Sequence, residues 1–201
     1  DNFLELFAPD LSLHNATSLT ASFKHSERNT LWAEIIVDSL SYQGNVALTN
    51  QINIDASKLI GASKILAAID IQSKKQFLQG GSILEDFLFS AVWSDDFIDF
   101  NWYNTQPSIE NINDVYGKIT FYHDSTEIHL NRSLLTLLGK NWTIQDNNLV
   151  TLFNNKIKIQ DLNIGSDDQM LTIAGMVGND PEDILSVTMN NFDLGILNPL
   201  I

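Results

Sequence analysis

From Lys156 to Asn190, apolar and polar residues alternate with a period of two in three successive runs. Ile157 and Ile159 alternate with Lys156, Lys158 and Gln160. Leu171, Ile173, Gly175 and Val177 alternate with Thr172, Ala174 and Met176, and Leu185, Val187 and Met189 with Ser186, Thr188 and Asn190. Successive side chains of a β-strand point to opposite faces, so each run predicts a strand with one apolar and one wet side. The runs begin 14 positions apart, at Ile157, Leu171 and Leu185.

The same pattern recurs upstream. Val46, Leu48, Ile52 and Ile54 mark a long strand; Ile65, Ala67, Ile69 and Ile71 mark another. Further strands are centred on Phe87–Trp93, Ile98–Trp102, Gly117–Phe121, Ile128–Leu130 and Trp142–Ile144, giving about ten in all. Between them stand turn residues: Gln43-Gly44-Asn45, Gly80-Gly81, Ser94-Asp95-Asp96, Asp124-Ser125, Asp146-Asn147-Asn148, Ser166-Asp167-Asp168 and Asn179-Asp180-Pro181. Helical character is confined to Ala56–Leu66, which Gly61 weakens, and to Pro181–Ile184, barely a turn long. No Pro/Gly/Ser-rich linker or charge block interrupts the chain, so residues 1–201 read as one continuous all-β unit. Short connections and half-wet strands suit an antiparallel sheet. The regular rhythm fits an elongated, curled sheet built strand by strand; a closed β-sandwich or barrel is the alternative, and the sandwich would read as a binding module that recognises a glycan or protein through its turns.

Charge narrows the partners. With 25 Asp+Glu against 11 Lys+Arg, the net charge is −14, which argues against phosphate backbones and anionic membrane surfaces, so no nucleic-acid partner is expected. A hydrophobic content of 44% is enough to bury a core. There is no cysteine, hence no disulfide framework and no thiolate zinc site. The sequence starts at Asp1 with no basic and apolar leader, which reads as a processed chain or, more simply, a piece of a longer one. No run approaches the ~20 apolar residues of a spanning helix, so no membrane span is expected within this segment.

Catalytic vocabulary is scarce. There is no GxGxxG, P-loop, HExxH or GxSxG, and no pair among the carboxylates singles itself out for glycoside hydrolysis. His123 and His129, with Asp124 and Glu127, are the best metal-ligand types, but a polar turn leading into a strand accounts for them equally simply. The acidic turns at Ser166–Asp168 and Asn179–Asp183 lack the spacing of a calcium loop. Neither a metal, a cofactor nor a catalytic residue is therefore expected. Trp32, Trp93, Trp102 and Trp142 raise the possibility of a stacking platform for sugars or bases; three of them are in phase with their strands' apolar residues, which favours packing.

The last third carries a more specific pattern. Asn141-Trp142-Thr143-Ile144, Asp146-Asn147-Asn148, an Ile/Lys strand, Asp168-Gln169-Met170-Leu171-Thr172-Ile173-Ala174-Gly175, Asn179-Asp180-Pro181-Glu182-Asp183 and Asn191-Phe192-Asp193-Leu194 follow in order. This succession resembles the TamB (translocation and assembly module) and AsmA-like family, bridge-like lipid transfer proteins of diderm bacteria. Ala8-Pro9-Asp10-Leu11 and Tyr116-Gly117-Lys118-Ile119-Thr120-Phe121 look similar to other repeats of that family. The resemblance implies a periplasmic β-sheet trough with an apolar inner face, part of a protein anchored in the inner membrane. It implies phospholipid transport between the two membranes, outer-membrane protein assembly with a BamA-like barrel, and no enzymatic activity. On that reading the lipid-groove residues are Ile119, Phe121, Ile128, Leu130, Ile144, Ile157, Ile159, Leu171, Ile173, Val177, Leu185, Val187 and Met189, with phospholipid acyl chains as their partner.

Overall fold

A computed structural model describes residues 11–62, 64–107, 111–137 and 140–191. The segments Ala8-Pro9-Asp10 and Phe192-Asp193-Leu194 lie outside the described residues. Among the described residues there is no α-helix, and the order is β1 (Leu11–His25), β2 (Arg28–Tyr42), β3 (Asn45–Leu59), β4 (Ile65–Phe77), β5 (Ile83–Ser94), β6 (Phe97–Gln106), β7 (Asn111–Phe121), β8 (Ser125–Leu130), β9 (Ser133–Leu137), β10 (Lys140–Ile144), β11 (Leu149–Phe153), β12 (Lys156–Ser166), β13 (Gln169–Val177) and β14 (Leu185–Asn190). The helical option at Ala56–Leu66 is not taken: β3 runs on to Leu59, and Gly61, at φ 80°, turns the chain into β4. Asp180–Glu182 likewise form a turn.

The chain divides into two compact units, residues 1–95 with 100–108 and residues 96–99 with 109–201, a division that no linker composition marks. In the first, β1 to β6 follow one another in the sheet in chain order, and β1 to β5 pair as antiparallel neighbours. In the second, β8 and β9 behave as one interrupted strand, as do β10 and β11. Residues 117–121 of β7 pair with β8, and Asn113 and Asp114 with β9. The first half of β12 pairs with β11 and Ile164–Gly165 with β10; β13 and β14 complete the meander. Each unit is thus an open antiparallel sheet, not a closed barrel or sandwich: among the described residues β1 pairs only with β2, and β14 only with β13.

Both units carry a seam where pairing is interrupted partway along the strands. In the first unit the register passes from Val37↔Asn50 to Ser39↔Leu48, and from Asn50↔Ser73 to Leu48↔Lys75, stepping over Asp38, Thr49 and Lys74. It also passes from Ser73↔Phe87 to Lys75↔Glu85, stepping over Asp86. Thr49 and Asp86 sit in the left-handed region, at φ 54° and 50°, where a β-branched residue such as threonine is rarely found. Such interruptions leave backbone groups without a ladder partner, which is costly wherever water is excluded.

Short polar side chains take over those groups. The buried Asn50 donates from Nδ2 to the carbonyls of Val37 (3.1 Å) and Ala47 (2.9 Å). The Ser73 hydroxyl lies 3.3 Å from the Leu48 carbonyl, and that of Thr105 donates to the Glu85 carbonyl at 3.1 Å. In the second unit Ser133, 2% exposed, accepts from the Tyr116 amide (3.0 Å) and donates to the Asn131 carbonyl (2.8 Å). Asn148, 1% exposed, donates to the carbonyls of Leu130 (2.7 Å) and Gln145 (2.6 Å) and accepts from the Leu130 amide (2.9 Å). A single asparagine thereby replaces the missing rungs between β8 and β11.

The turn from β13 to β14 is closed differently. Gly175, at φ 125°, brings the chain so near β14 that a Cβ there would overlap the Ile184 carbonyl oxygen. That oxygen accepts from the Met176 amide at 2.9 Å. Lys156 reaches across to Asp180 (2.5 Å) and Asp183 (3.1 Å), and the Asp183 carboxylate also accepts from the Asp180 amide at 3.0 Å. Burial by itself would push the Asp183 carboxyl up, but the Lys156 ammonium and the Asp180 amide outweigh it and hold the group below the ordinary carboxylate range. The Lys156 ammonium is held above its own ordinary value, chiefly by Asp180 and then by Asp183.

Two outcomes are expected. Asn148→Leu, which strips the partly buried backbone groups of Leu130 and Gln145 of their partner, should destabilise the protein by about 1–3 kcal/mol in urea unfolding. Asn147→Ala, at an exposed neighbour, should change stability by less than ~0.5 kcal/mol. For the turn, a depressed carboxyl stabilises the fold above its unfolded pKa and loses that contribution as pH falls through the folded value; a raised lysine stabilises below its unfolded pKa and loses it as pH rises. Hydrogen-exchange protection of the Met176 amide, corrected for intrinsic rates, should therefore be flat near neutrality and fall below pH ~4. In Lys156→Met it should be lower at neutral pH and lose most of that acid dependence.

Candidate functional site

Antiparallel register converts the alternating pattern into rows that cross the strands on one face. In the second unit Ile119, Ile128, Val150 and Ile159 stand opposite one another along β7, β8, β11 and β12. The next row on that face runs Phe121, Thr126, Leu152, Ile157, Val177. On the far side of the seam come Leu162, Ile173, Val187 and then Ile144, Ile164, Leu171, Met189. Leu185 stands opposite Gly175, which is itself opposite Ile159. Leu130 faces Gly117 at the seam.

All thirteen sequence-predicted groove residues are thus placed in β7, β8, β10, β12, β13 and β14, but their accessibility differs. Ile144 is buried, with Trp142 and Val115, and forms the floor. Ile119, Ile128, Leu130, Ile159, Leu171 and Ile173 are half-buried. Phe121, Ile157, Val177 and Leu185 are exposed, Met189 is 47% and Val187 51% exposed. The opposite face is polar: Thr120, Glu127, Thr151 and Lys158 form one row, and Asn163, Thr172 and Thr188 another, with the Thr172 hydroxyl donating to Asn163 Oδ1 at 2.7 Å.

Sequence reading passes over Val150, Leu152, Leu162 and Ile164, which fill gaps in these rows. The reason for the last two is a bulge. Pairing shifts between Ile159 and Leu162, and Asp161 takes φ 50°, so Gln160 and Asp161 together occupy one step of the ladder. The apolar spacing changes there from two to three, yet the apolar face is kept. Leu149–Phe153 is nearly all apolar and shows no alternation to count.

The first unit has its own apolar face, which the sequence marks through Ile52, Ile54, Ile69 and Ile71. Its rows run Leu19, Ile35, Ile52, Ile71, Phe89; Ala21, Ala33, Ile54, Ile69, Ala91; and Phe23, Leu31, Ala56, Ala67, Trp93. Phe89 stacks on Phe100 with ring centroids 6.5 Å apart. Leu19 and Phe23, on the strand with a single partner, are the most exposed of these.

Among the described residues no group of three or more His, Asp or Glu side chains could hold a metal ion. The His129 ring is engaged by Asn131 and the Asp146 carbonyl, and the phenol of Tyr122 is pushed up mainly by its hydrogen bond to Glu127. Of the tryptophans only Trp142 is buried; Trp32, Trp93 and Trp102 are 38–43% exposed, beyond what packing in phase with the strands requires. No helix among the described residues is long and apolar enough to cross a membrane. Neither protein-family models, nor curated proteins, nor solved structures match this chain.

Proposed function

We propose that the chain is a non-enzymatic segment that shields phospholipid acyl chains on its apolar sheet face. The observation that carries this reading is the set of apolar cross-strand rows of the second unit, whose members on β13 and β14 stay open to solvent: Val177, Leu185, Val187 and Met189. A soluble monomer rarely leaves contiguous apolar surface of this kind without a use for it. Two acyl chains of roughly 30 methylenes cost on the order of 20 kcal/mol to expose to water at ~0.8 kcal/mol each, so a lipid between membranes needs such a surface along its way. Nothing in that task calls for a catalytic group.

In this reading the segment works in the periplasm, as part of a longer protein anchored in the inner membrane. That protein passes phospholipid between the membranes and assists outer-membrane protein assembly with a BamA-like barrel. The family resemblance supports this cellular setting; the apolar rows support the acyl-chain contact itself.

Site-specific photo-crosslinking in diderm cells tests it, with the probe at Ile173 in an apolar row and at Thr172 on the opposite, hydrogen-bonded face. Capture of phospholipid at Ile173, with at least ~10-fold less at Thr172, is the expected outcome. Equal capture at both, or none at Ile173, would overturn the proposal. Val187→Asp, a charge directly opposite Ile173 in the same row, should abolish capture at Ile173 while leaving the strand spectrum in circular dichroism unchanged.

A further inference from the structure

The polar face of the first unit holds a feature that acyl-chain shielding does not use. Two neighbouring rows on that face run Ser22, Trp32, Asp55, Ala68 and Lys24, Thr30, Ser57, Leu66 across β1 to β4. They line an open hollow of about 530 Å³. Trp32 is 38% exposed within it, and Asp55 lies directly opposite on β3, which places the two Cβ atoms ~5 Å apart.

What this place combines is an exposed indole with unspent polar groups. Two other carboxylates on the same face are taken: Glu34 accepts from Gln51 at 2.9 Å and Asp70 from Ser90 at 2.6 Å. Among the described residues, Ser22, Lys24, Thr30, Asp55 and Ser57 make no side-chain hydrogen bond or ion pair with the protein, and Lys24 is not bridged to Asp55. An exposed indole surface flanked by a free carboxylate, a free ammonium and three free hydroxyls offers one flat apolar platform ringed by donors and acceptors.

We infer that this hollow is a binding subsite for a neutral pyranose glycan, with a sugar ring stacked on Trp32 and its hydroxyls bonded to Asp55 and the surrounding Ser22, Thr30, Ser57 and Lys24. A sugar ring matches it because one side of a pyranose presents C–H groups to an aromatic plane while its rim presents hydroxyls that both donate and accept. The net charge of −14 and the Asp55 carboxylate disfavour acidic glycans, against the single Lys24 ammonium. A sugar ring fits better than a fatty chain, which would desolvate Asp55, Lys24 and the three hydroxyls without replacing their bonds to water. The subsite lies on the face opposite the apolar rows of its own sheet, so it stands or falls independently of lipid shielding.

The test is a titration of the protein, isotope-labelled, with two soluble probes, the β-1,4-linked tetramers of glucose and of N-acetylglucosamine, followed by amide and indole NMR shifts. At least one should give saturable shifts of the Trp32 indole N–H and of the Ser22 and Ser57 amides, with an affinity in the millimolar range or tighter (~1 mM). Trp32→Ala should weaken binding at least ~10-fold and Asp55→Asn ~3–10-fold, while Trp93→Ala, on the other face, should leave it unchanged. Trp32→Phe, which keeps an aromatic plane, should bind with intermediate affinity; it also keeps the test decisive if Trp32→Ala fails to fold. No shift with either tetramer up to ~10 mM, or shifts that Asp55→Asn does not weaken, would overturn the inference.

Discussion

Everything in these sheets depends on keeping backbone amides and carbonyls paired while the strands are interrupted partway along. A strand of 15 residues such as β2 or β3 is long for a globular protein, where about 5–6 is usual. The seam divides such strands into two arms, and each break would leave polar groups stranded if nothing replaced the ladder. Asn50, Ser73 and Thr105 in one unit and Ser133 and Asn148 in the other replace it with side-chain groups that imitate the missing neighbour. The buried Asn50, Ser73, Ser133 and Asn148 thus serve the backbone. That explains how a chain with few buried apolar side chains keeps a defined register.

Much of this architecture is legible from periodicity. The runs at Ile157–Ile159, Leu171–Val177 and Leu185–Met189 correspond to β12, β13 and β14, because half-covered sheets impose a strict period of two. β1 and β2 escape notice for opposite reasons. β1 is rich in Ser, Thr and Asn, with scattered apolar residues, while Ile35-Ile36-Val37 in β2 breaks the alternation just before the seam. β9 and β11 are five residues each, too short to establish a period. The seam itself is nearly invisible: Thr49 adopts a left-handed backbone that no propensity would assign to threonine, because the strands on either side fix its position.

The candidate site is legible to the same degree and for the same cause. Counting by twos finds one side of β12 up to Ile159 and then loses it at Gln160-Asp161, so Leu162 and Ile164 are recovered only from the pairing. Exposure is a property of cross-strand neighbours, which no single strand reports. Ile144 and Val187 look alike in sequence, yet one is floor and the other open surface. Likewise the hollow at Trp32 joins residues from four strands, and what distinguishes Asp55 from Glu34 and Asp70 is the absence of a hydrogen-bond partner.

The bulge in β12 also bears on how a gene for such a protein can change length. Within either arm of a strand, adding or deleting one codon would turn every later side chain through to the other face, exchanging greasy for wet along the whole arm. At Gln160-Asp161 the chain already carries an odd residue whose side chain serves neither row. Length variation among descendants of this sequence is therefore expected to collect in the turns and at the seam, and almost nowhere between.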